Sequence, residues 1–323
     1  MNILVTGGAG YIGGTVSSLL ATAGHQATVL DNLCHSKRDE VPEGVDFIEA
    51  DIADRPRVES LLRELKPDGV LHFAALIEAG ESMKKPEIYF RNNTACTLSL
   101  LEAMHATGTS KLVFSSTAAV YGEPVSLPIE EAAALAPTNA YGESKLLVEQ
   151  MLKWFNRVHG LRYVSLRYFN VAGALPGRGE AHEPETHIIP LILDVALGRR
   201  ASISIFGEDY DTPDGTRIRD YIHVVDLADA HILALNSLST HERLIMNLGN
   251  GDGFSVKQVI ETARKITGHP IPAEIRPRRN GDPARLVASS ELAKTTLSWQ
   301  PKYPELESIL ASAWQWHQQR YQA

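Results

Sequence analysis

Short, unbroken apolar runs recur through the first half of the chain: Ile3-Leu4-Val5, Thr28-Val29-Leu30, Val45 to Ile48, Val70-Leu71-His72-Phe73, Leu112-Val113-Phe114 and Tyr163-Val164-Ser165-Leu166. Runs of this kind, rather than alternating ones, predict strands covered on both faces of a parallel sheet. Between them, apolar residues at helical spacing predict helices over Ile12 to Ala23, Val58 to Leu65, Thr94 to Met104 and Tyr141 to Phe155. Strand alternating with helix is the pattern of a doubly wound α/β domain. After Gly173 the texture changes. Glycines, prolines and charges crowd Gly173 to Glu185, which reads as a loop or linker. Beyond it a short strand, Ile203-Ser204-Ile205-Phe206, mixes with helices near Pro190 to Leu197, Val225 to Leu235 and Val256 to Ile266. The division expected is a dinucleotide-binding domain over 1–173 and a smaller mixed α/β substrate domain over 174–323.

Composition narrows the function without naming it. The chain has 323 residues with a formal net charge of -8, so no basic surface offers itself to nucleic acid or to an anionic membrane. An anionic substrate would therefore need a local cationic pocket. The two cysteines, Cys34 and Cys96, form no CxxC, and neither they nor the twelve histidines show metal-ligand spacing. A reducing compartment and no metal are expected. The first apolar strand starts at Asn2-Ile3, leaving no room for a leader, and no apolar run approaches the ~20 residues of a membrane span. A soluble, cytoplasmic protein follows as the expectation.

Gly7-Gly8-Ala9-Gly10-Tyr11-Ile12-Gly13 lies between the first strand and the first helix. Glycines there permit a tight turn and a close approach of backbone to a pyrophosphate, which then faces the free N–H groups of a helix N-terminus. Asp31 ends the second strand, 18 residues past Gly13. A carboxylate at that point accepts hydrogen bonds from a ribose 2′-hydroxyl and repels a 2′-phosphate, which favours NAD over NADP. Tyr141 and Lys145 stand at i and i+4 on one helical face. A phenol of ordinary pKa near ~10 is a poor base at neutrality, and an adjacent ammonium would lower it. Ser115-Ser116-Thr117 ends the strand beginning at Leu112, at the carboxyl edge of the sheet, where a hydroxyl can share a substrate hydrogen bond with Tyr141.

With these residues in view, the chain resembles the extended short-chain dehydrogenase/reductase family, and within it the UDP-glucose 4-epimerases, nearly end to end. The matching segments include Thr6 to Gly13, Leu30 to Leu33, Asp51-Ile52, His72 to Ala75, Ser115 to Gly122, Tyr141 to Lys145 and Arg167 to Asn170. Ile205 to Gly207, Gly215 to Val224 and Arg278 to Asp282 match as well, and these last are the most specific. The resemblance implies a seven-stranded Rossmann-like domain, tightly held NAD, a UDP-sugar between the domains, and a stretch from Ile222 to about Leu248 that packs back onto the first domain. It implies C4 epimerisation of a UDP-hexose through a transient 4-keto sugar. The alternative is a related epimerase or decarboxylase acting on a UDP-N-acetylhexosamine, UDP-pentose or UDP-uronate.

By the same resemblance, Tyr141 is the base for the sugar 4-hydroxyl, Thr117 binds the same oxygen, and Lys145 holds the cofactor ribose. Gly7, Gly10, Tyr11, Ile12, Gly13, Asp31, Asn32, Asp51, Ile52, Phe73, Ala74, Ala75, Asn92 (or Asn93) and Tyr168 line the cofactor, with Tyr141 and Lys145. Asn170, His187, Ile188, Ile205, Phe206, Arg219, Arg279, Asp282 and Leu286 join Thr117 on the UDP-sugar, with Arg219 and Arg279 on the diphosphate and Asp282 on the ribose. Two departures stand out. Ile77 replaces a lysine that some members place near the cofactor, and His187 falls where others present an asparagine pair, so it either replaces an amide donor or faces a loop. Leu286 stands where a wall residue beside the sugar C2 substituent is expected. A homodimer joined by the helices Thr94–Met104 and Tyr141–Phe155 is implied too, the second bearing Leu147, Met151, Leu152 and Phe155.

Overall fold

The computed structural model describes residues 1–279 and 283–322. Its first half alternates as the apolar runs require: β1 (Asn2–Thr6), α1 (Tyr11–Thr22), β2 (Gln26–Asp31), β3 (Asp46–Glu49), α2 (Arg55–Leu65), β4 (Gly69–His72), the single turns α3 (Ala79–Ser82) and α4 (Pro86–Tyr89), α5 (Cys96–Thr107), β5 (Lys111–Thr117), α6 (Ala140–His159) and β6 (Arg162–Tyr168). The second half contributes β7 (Asn170–Ala172), α7 (Ile188–Ala196), β8 (Ile203–Phe206), β9 (Ile218–His223), α8 (Val224–Ser237), β10 (Arg243–Leu248), β11 (Gly253–Ser255), α9 (Val256–Thr267), β12 (Ala273–Arg276), β13 (Arg285–Leu286), α10 (Glu291–Leu297) and α11 (Leu306–Gln322). No helix is long and apolar enough to cross a membrane among the described residues.

Seven strands form one sheet in the order β10-β6-β5-β4-β1-β2-β3, every pair parallel. This is the Rossmann-like doubly wound arrangement, in which crossover helices cover both faces. On one face Val16 and Leu20 of α1 pack with Leu227, Ala230 and Ala234 of α8 against Ile3, Val5 and Val113. On the other, Leu61 of α2, Leu100 and Met104 of α5 and Val148 and Leu152 of α6 cover Leu4, Val70 and Phe114. Burial on both faces explains why these strands read as unbroken apolar runs. The seventh strand, β10, is drawn from the second half of the chain, and Trp299 joins the same core, its indole N–H donating to the Asp226 carbonyl at 2.9 Å.

A second core lies apart. Ile189, Ile192 and Leu193 of α7, Val259 and Ile260 of α9, and Ile309 and Leu310 of α11 enclose Ile203 and Ile205. Small sheets line its margin, with β9 paired to β7, β11 and β13 and β8 paired to β12. β9, which carries Arg219, pairs with β7, the strand that follows directly on β6 of the large sheet.

Candidate active site

The turn after β1 is held by packing. Gly7 has φ +72°, and a Cβ there would lie 2.5 Å from the Ala74 backbone nitrogen; one on Gly13 would lie 2.3 Å from the Gly7 carbonyl oxygen. Gly10 differs. Its Cβ would meet nothing nearer than that same oxygen at 3.5 Å, an ordinary contact. Gly10 also N-caps α1 without any side-chain cap, and the first turn carries no acidic residue. Free N–H groups, open space and an uncapped dipole fit a pyrophosphate. Tyr11 and Ile12 follow in the first turn, the Tyr11 hydroxyl donating to the Gly173 carbonyl at 2.6 Å. Asp31, at the end of β2, accepts from Ala9 N–H at 3.1 Å and Leu33 N–H at 2.9 Å, which ties the glycine turn to the strand end. Beside it Asn32 donates to the Asp51 carboxylate at 2.9 Å, and Ile52 is buried. These residues fit an adenosine at this edge.

The Phe73-Ala74-Ala75 segment continues β4, with the Phe73 and Ala74 N–H groups both on the Thr6 carbonyl. Ile77 lies just beyond. Of the two asparagines, Asn93 carries the hydrogen bonds that hold the segment after β4. Asn93 is buried, grips Leu76 through both its amide groups, and donates to Ser144 Oγ at 3.1 Å. Asn92 donates only to Asn93 at 3.0 Å among its described bonds. A π-helical turn over Phe90–Ala95 carries both, a distortion that often marks function.

Thr117 and Tyr141 meet because α6 begins very close to the end of β5. Asn139 caps α6 through Gly142 N–H at 2.8 Å, and a Cβ on Gly142 would lie 2.6 Å from the Ala119 carbonyl oxygen. Thr117 and Tyr141 share a hydrogen bond. Lys145, 2% exposed, donates from Nζ to the Ser115 carbonyl at 2.9 Å and lies 5.0 Å from the centre of the Phe114 ring. Burial pushes the Tyr141 phenol up, against the hydrogen bond from Thr117 that lowers it and with the charge of Glu78 that raises it. Burial also pulls the Lys145 ammonium down to about 7. Tyr168 lies beneath, buried in the sheet with its hydroxyl against Ser115 Oγ, so it supports the strand that anchors Lys145.

A buried polar chain backs these groups. Glu149 of α6 accepts from Ser116 Oγ at 2.6 Å and pairs with Arg167 at 2.5 Å, with the two side chains 1% and 2% exposed. Arg167 donates to the Tyr121 hydroxyl at 2.9 Å, which donates to Asn247 Oδ1 at 2.7 Å. Sequence reasoning passed over this set.

Across the cleft, β9 sets Arg219 level with Leu286 of β13 and Phe254 of β11. Burial, then the charge of Arg217, pull Arg219 down to about 10. Arg279 stacks 3.9 Å over the Phe206 ring, whereas its neighbour Arg278 turns to Asp209 at 2.6 Å. Ile205 is buried on the same strand as Phe206. Asn170 donates to the Asp220 carbonyl at 3.0 Å, bracing β9. Leu286 packs with Phe169 on Ala118, Val120 and Tyr121, directly beyond Thr117. Asp282 lies outside the described residues. Arg217 was missed, although its alternation with Arg219 around Ile218 puts the two on one strand face.

His187 N-caps α7, ahead of Ile188, and its Nδ1 bonds to Glu185 at 2.8 Å. It therefore faces a carboxylate of its own loop. Burial lowers its pKa, but the Glu185 hydrogen bond and the charges of Glu180, Glu185 and Glu78 outweigh this and lift it to about 9. Glu180, Glu185 and His187 bring donor atoms within 4.8 Å of one another, a grouping that linear spacing did not reveal.

The model of the NAD dependent epimerase/dehydratase family matches residues 3–249. A UDP-glucose 4-epimerase of Halalkalibacterium halodurans is 53% identical over 99% of this chain and 96% of its own. The crystal structure of UDP-glucose 4-epimerase from Brucella ovis in complex with NAD is 44% identical, covers 97% of each chain and superposes with a TM-score of 0.95. That of UDP-glucose-4-epimerase from Stenotrophomonas maltophila with bound NAD and formylated UDP-arabinopyranose is 40% identical, covers 100% of this chain and 99% of that one, and gives 0.96.

Proposed function

We infer the reaction from one premise: the chain belongs to the NAD dependent epimerase/dehydratase family. It is an enzyme that inverts C4 of a UDP-hexose, interconverting UDP-glucose and UDP-galactose, with NAD as cofactor. The observation that carries this reading is 53% identity to a UDP-glucose 4-epimerase over 99% of the chain, combined with Tyr141 and Thr117 sharing one hydrogen bond at the carboxyl edge of the sheet.

We assign the roles as follows. The open space at Gly10 and the uncapped N-terminus of α1 take the pyrophosphate, and Asp31 takes the adenosine ribose. NAD, when bound, accepts a hydride from C4 and gives it back. Tyr141 takes the 4-hydroxyl proton and later returns it, while Thr117 orients the same oxygen. Lys145, anchored on Ser115, holds the cofactor ribose and favours the phenolate of Tyr141. Arg219 and Arg279 fix the diphosphate, with Asp282 on the ribose, so the hexose can turn over between the two transfers without release of the nucleotide. Residues 1–173 with 222–248 serve as the cofactor unit and the rest of 174–323 as the UDP-sugar unit, a division that the two cores support.

Leu286, beside Phe169 beyond Thr117, serves as the wall next to the sugar C2 substituent; it leaves space for a 2-acetamido group but offers nothing to its N–H. UDP-N-acetylglucosamine is therefore a slower substrate. The protein acts as a homodimer through α5 and α6. Support comes from Leu98, Trp154 and Val158, all exposed on these helices, whereas Leu152 is spent within the monomer core. Two free cysteines support a reducing, cytoplasmic setting, and the net charge of -8 disfavours nucleic acid and anionic membranes as partners. Purified protein given UDP-galactose without added NAD should form UDP-glucose; no conversion with NAD bound would overturn the reading.

A further inference from the structure

Arg217 stands two residues before Arg219, on the same face of the chain as it enters β9, with Thr216 fully buried beside it. β9 runs from this point toward His223, which caps α8 inside the core of the large sheet. The chemical end of the cleft therefore lies past Arg219, and Arg217 is set back from it by roughly 6.5 Å of extended chain. That places it toward Phe206 and Tyr210, the ring shelf on which Arg279 and Arg278 stack. The charges of the three arginines act on one another in series: Arg279 bears on Arg217, and Arg217 on Arg219, each cation already disfavoured by burial. The half-buried Arg217 and Arg219 and the exposed Arg279 repel one another, and an anion between them relieves that repulsion.

We propose that Arg217 is a third cation of the nucleoside-diphosphate subsite, holding the phosphate nearer the nucleoside, while Arg219 holds the one nearer the sugar. The inference rests on the reading of this cleft as a UDP-sugar site. Released nucleoside diphosphate carries more negative charge than its sugar ester, because a terminal phosphate ionises a second time near neutrality. That added charge falls on the phosphate facing Arg219, so Arg217 strengthens the binding of UDP and of UDP-hexose by similar factors, and with it the inhibition by free UDP.

The test uses the NAD-loaded enzyme, titrated calorimetrically with UDP and assayed with UDP-galactose. Arg217→Ala should weaken UDP binding by about 10- to 100-fold, the range for a lost charge-assisted hydrogen bond. KM should rise by a comparable factor, kcat should stay within about twofold of wild type, and NAD content should be unchanged. Arg217→Lys should restore part of the affinity, and the salt dependence of UDP binding should be shallower in Arg217→Ala than in either. UDP affinity unchanged in both variants overturns the role of Arg217 alone. Failure of the wild-type enzyme to bind UDP at all overturns the reading beneath it.

Discussion

The glycine turn allows its steric and ligand-facing positions to be separated. In Gly13→Ala the new Cβ starts 2.3 Å from the Gly7 carbonyl oxygen, a backbone atom that cannot swing away, and also 2.9 Å from the Gly8 Cα. Relief requires a shift of about 1 Å, and overpacking of this kind costs about 1–3 kcal/mol. An overlap this deep lies at the upper end of that range, about 2–3 kcal/mol; alanine in the first turn of α1 returns about 1 kcal/mol of helix propensity, so the net loss is about 1–2 kcal/mol. In Gly10→Ala the Cβ meets only one atom, at 3.5 Å, and φ −69° with ψ 175° suits alanine. A poorer N-cap is offset by lower unfolded-chain entropy, leaving the apo fold within about 0.5 kcal/mol of wild type. The space that Cβ fills is the space assigned to the pyrophosphate. Gly10→Ala should therefore purify with less than half the wild-type NAD, measured by mass spectrometry after denaturation, while its NAD-stripped form melts with the stripped wild type. Stripped Gly13→Ala should melt about 2–8 °C lower. Full NAD in Gly10→Ala, or equal destabilisation of the two stripped variants, would refute the assignment of that cradle.

Tyr141→Phe should reduce turnover by ~10²–10⁴-fold with UDP affinity unchanged, measured by steady-state kinetics and calorimetry; retention of most activity would place the base elsewhere. Arg167→Met strands the Glu149 carboxylate at 1% exposure and should cost about 3–5 kcal/mol in chemical denaturation, largely recovered by adding Glu149→Leu. Leu286→Tyr should abolish epimerisation of UDP-N-acetylglucosamine while largely sparing UDP-galactose, as chromatography of the two product mixtures would show. His187 has its folded pKa raised to about 9 from an ordinary 6.5, so its contribution is complete below 6.5 and fades as pH rises to 9. The melting difference between wild type and His187→Gln should accordingly shrink across that window; a constant difference would show that the imidazole does not titrate there.

How far the sequence carried the reading depended on which force shaped each segment. Strands β1, β4 and β5 are sealed on both faces, so their apolar runs announced them and the turn after β1. Tyr141 and Thr117 were legible for the same reason, one at a helix start and the other at a strand end. Between Asn92 and Asn93 the pattern was silent, because a π-turn inserts a residue and rotates the face that helical periodicity would assign. Arg217 was hidden by its neighbours, since a cation beside known cations reads as surface until the fold shows it half-buried. Helix α11 escaped notice because its buried stripe of Ile309, Leu310, Ala313 and Trp314 is interleaved with glutamate, serine and glutamine. The burial of Lys145 was not legible either, because spacing reports adjacency and says nothing of desolvation.

The position of β10 sets the timing of biogenesis. About 75 residues separate the end of β6 from the start of β10, and α8, which covers α1, lies within that interval. A ribosome adding ~5–20 residues per second needs roughly 4–15 s to cross it. Throughout that interval the nascent chain presents β6 as an open sheet edge and α1 with its Val16 and Leu20 side unroofed. Slowing of elongation between Tyr168 and Arg243 therefore lengthens the time for which that edge and that helix face stay open.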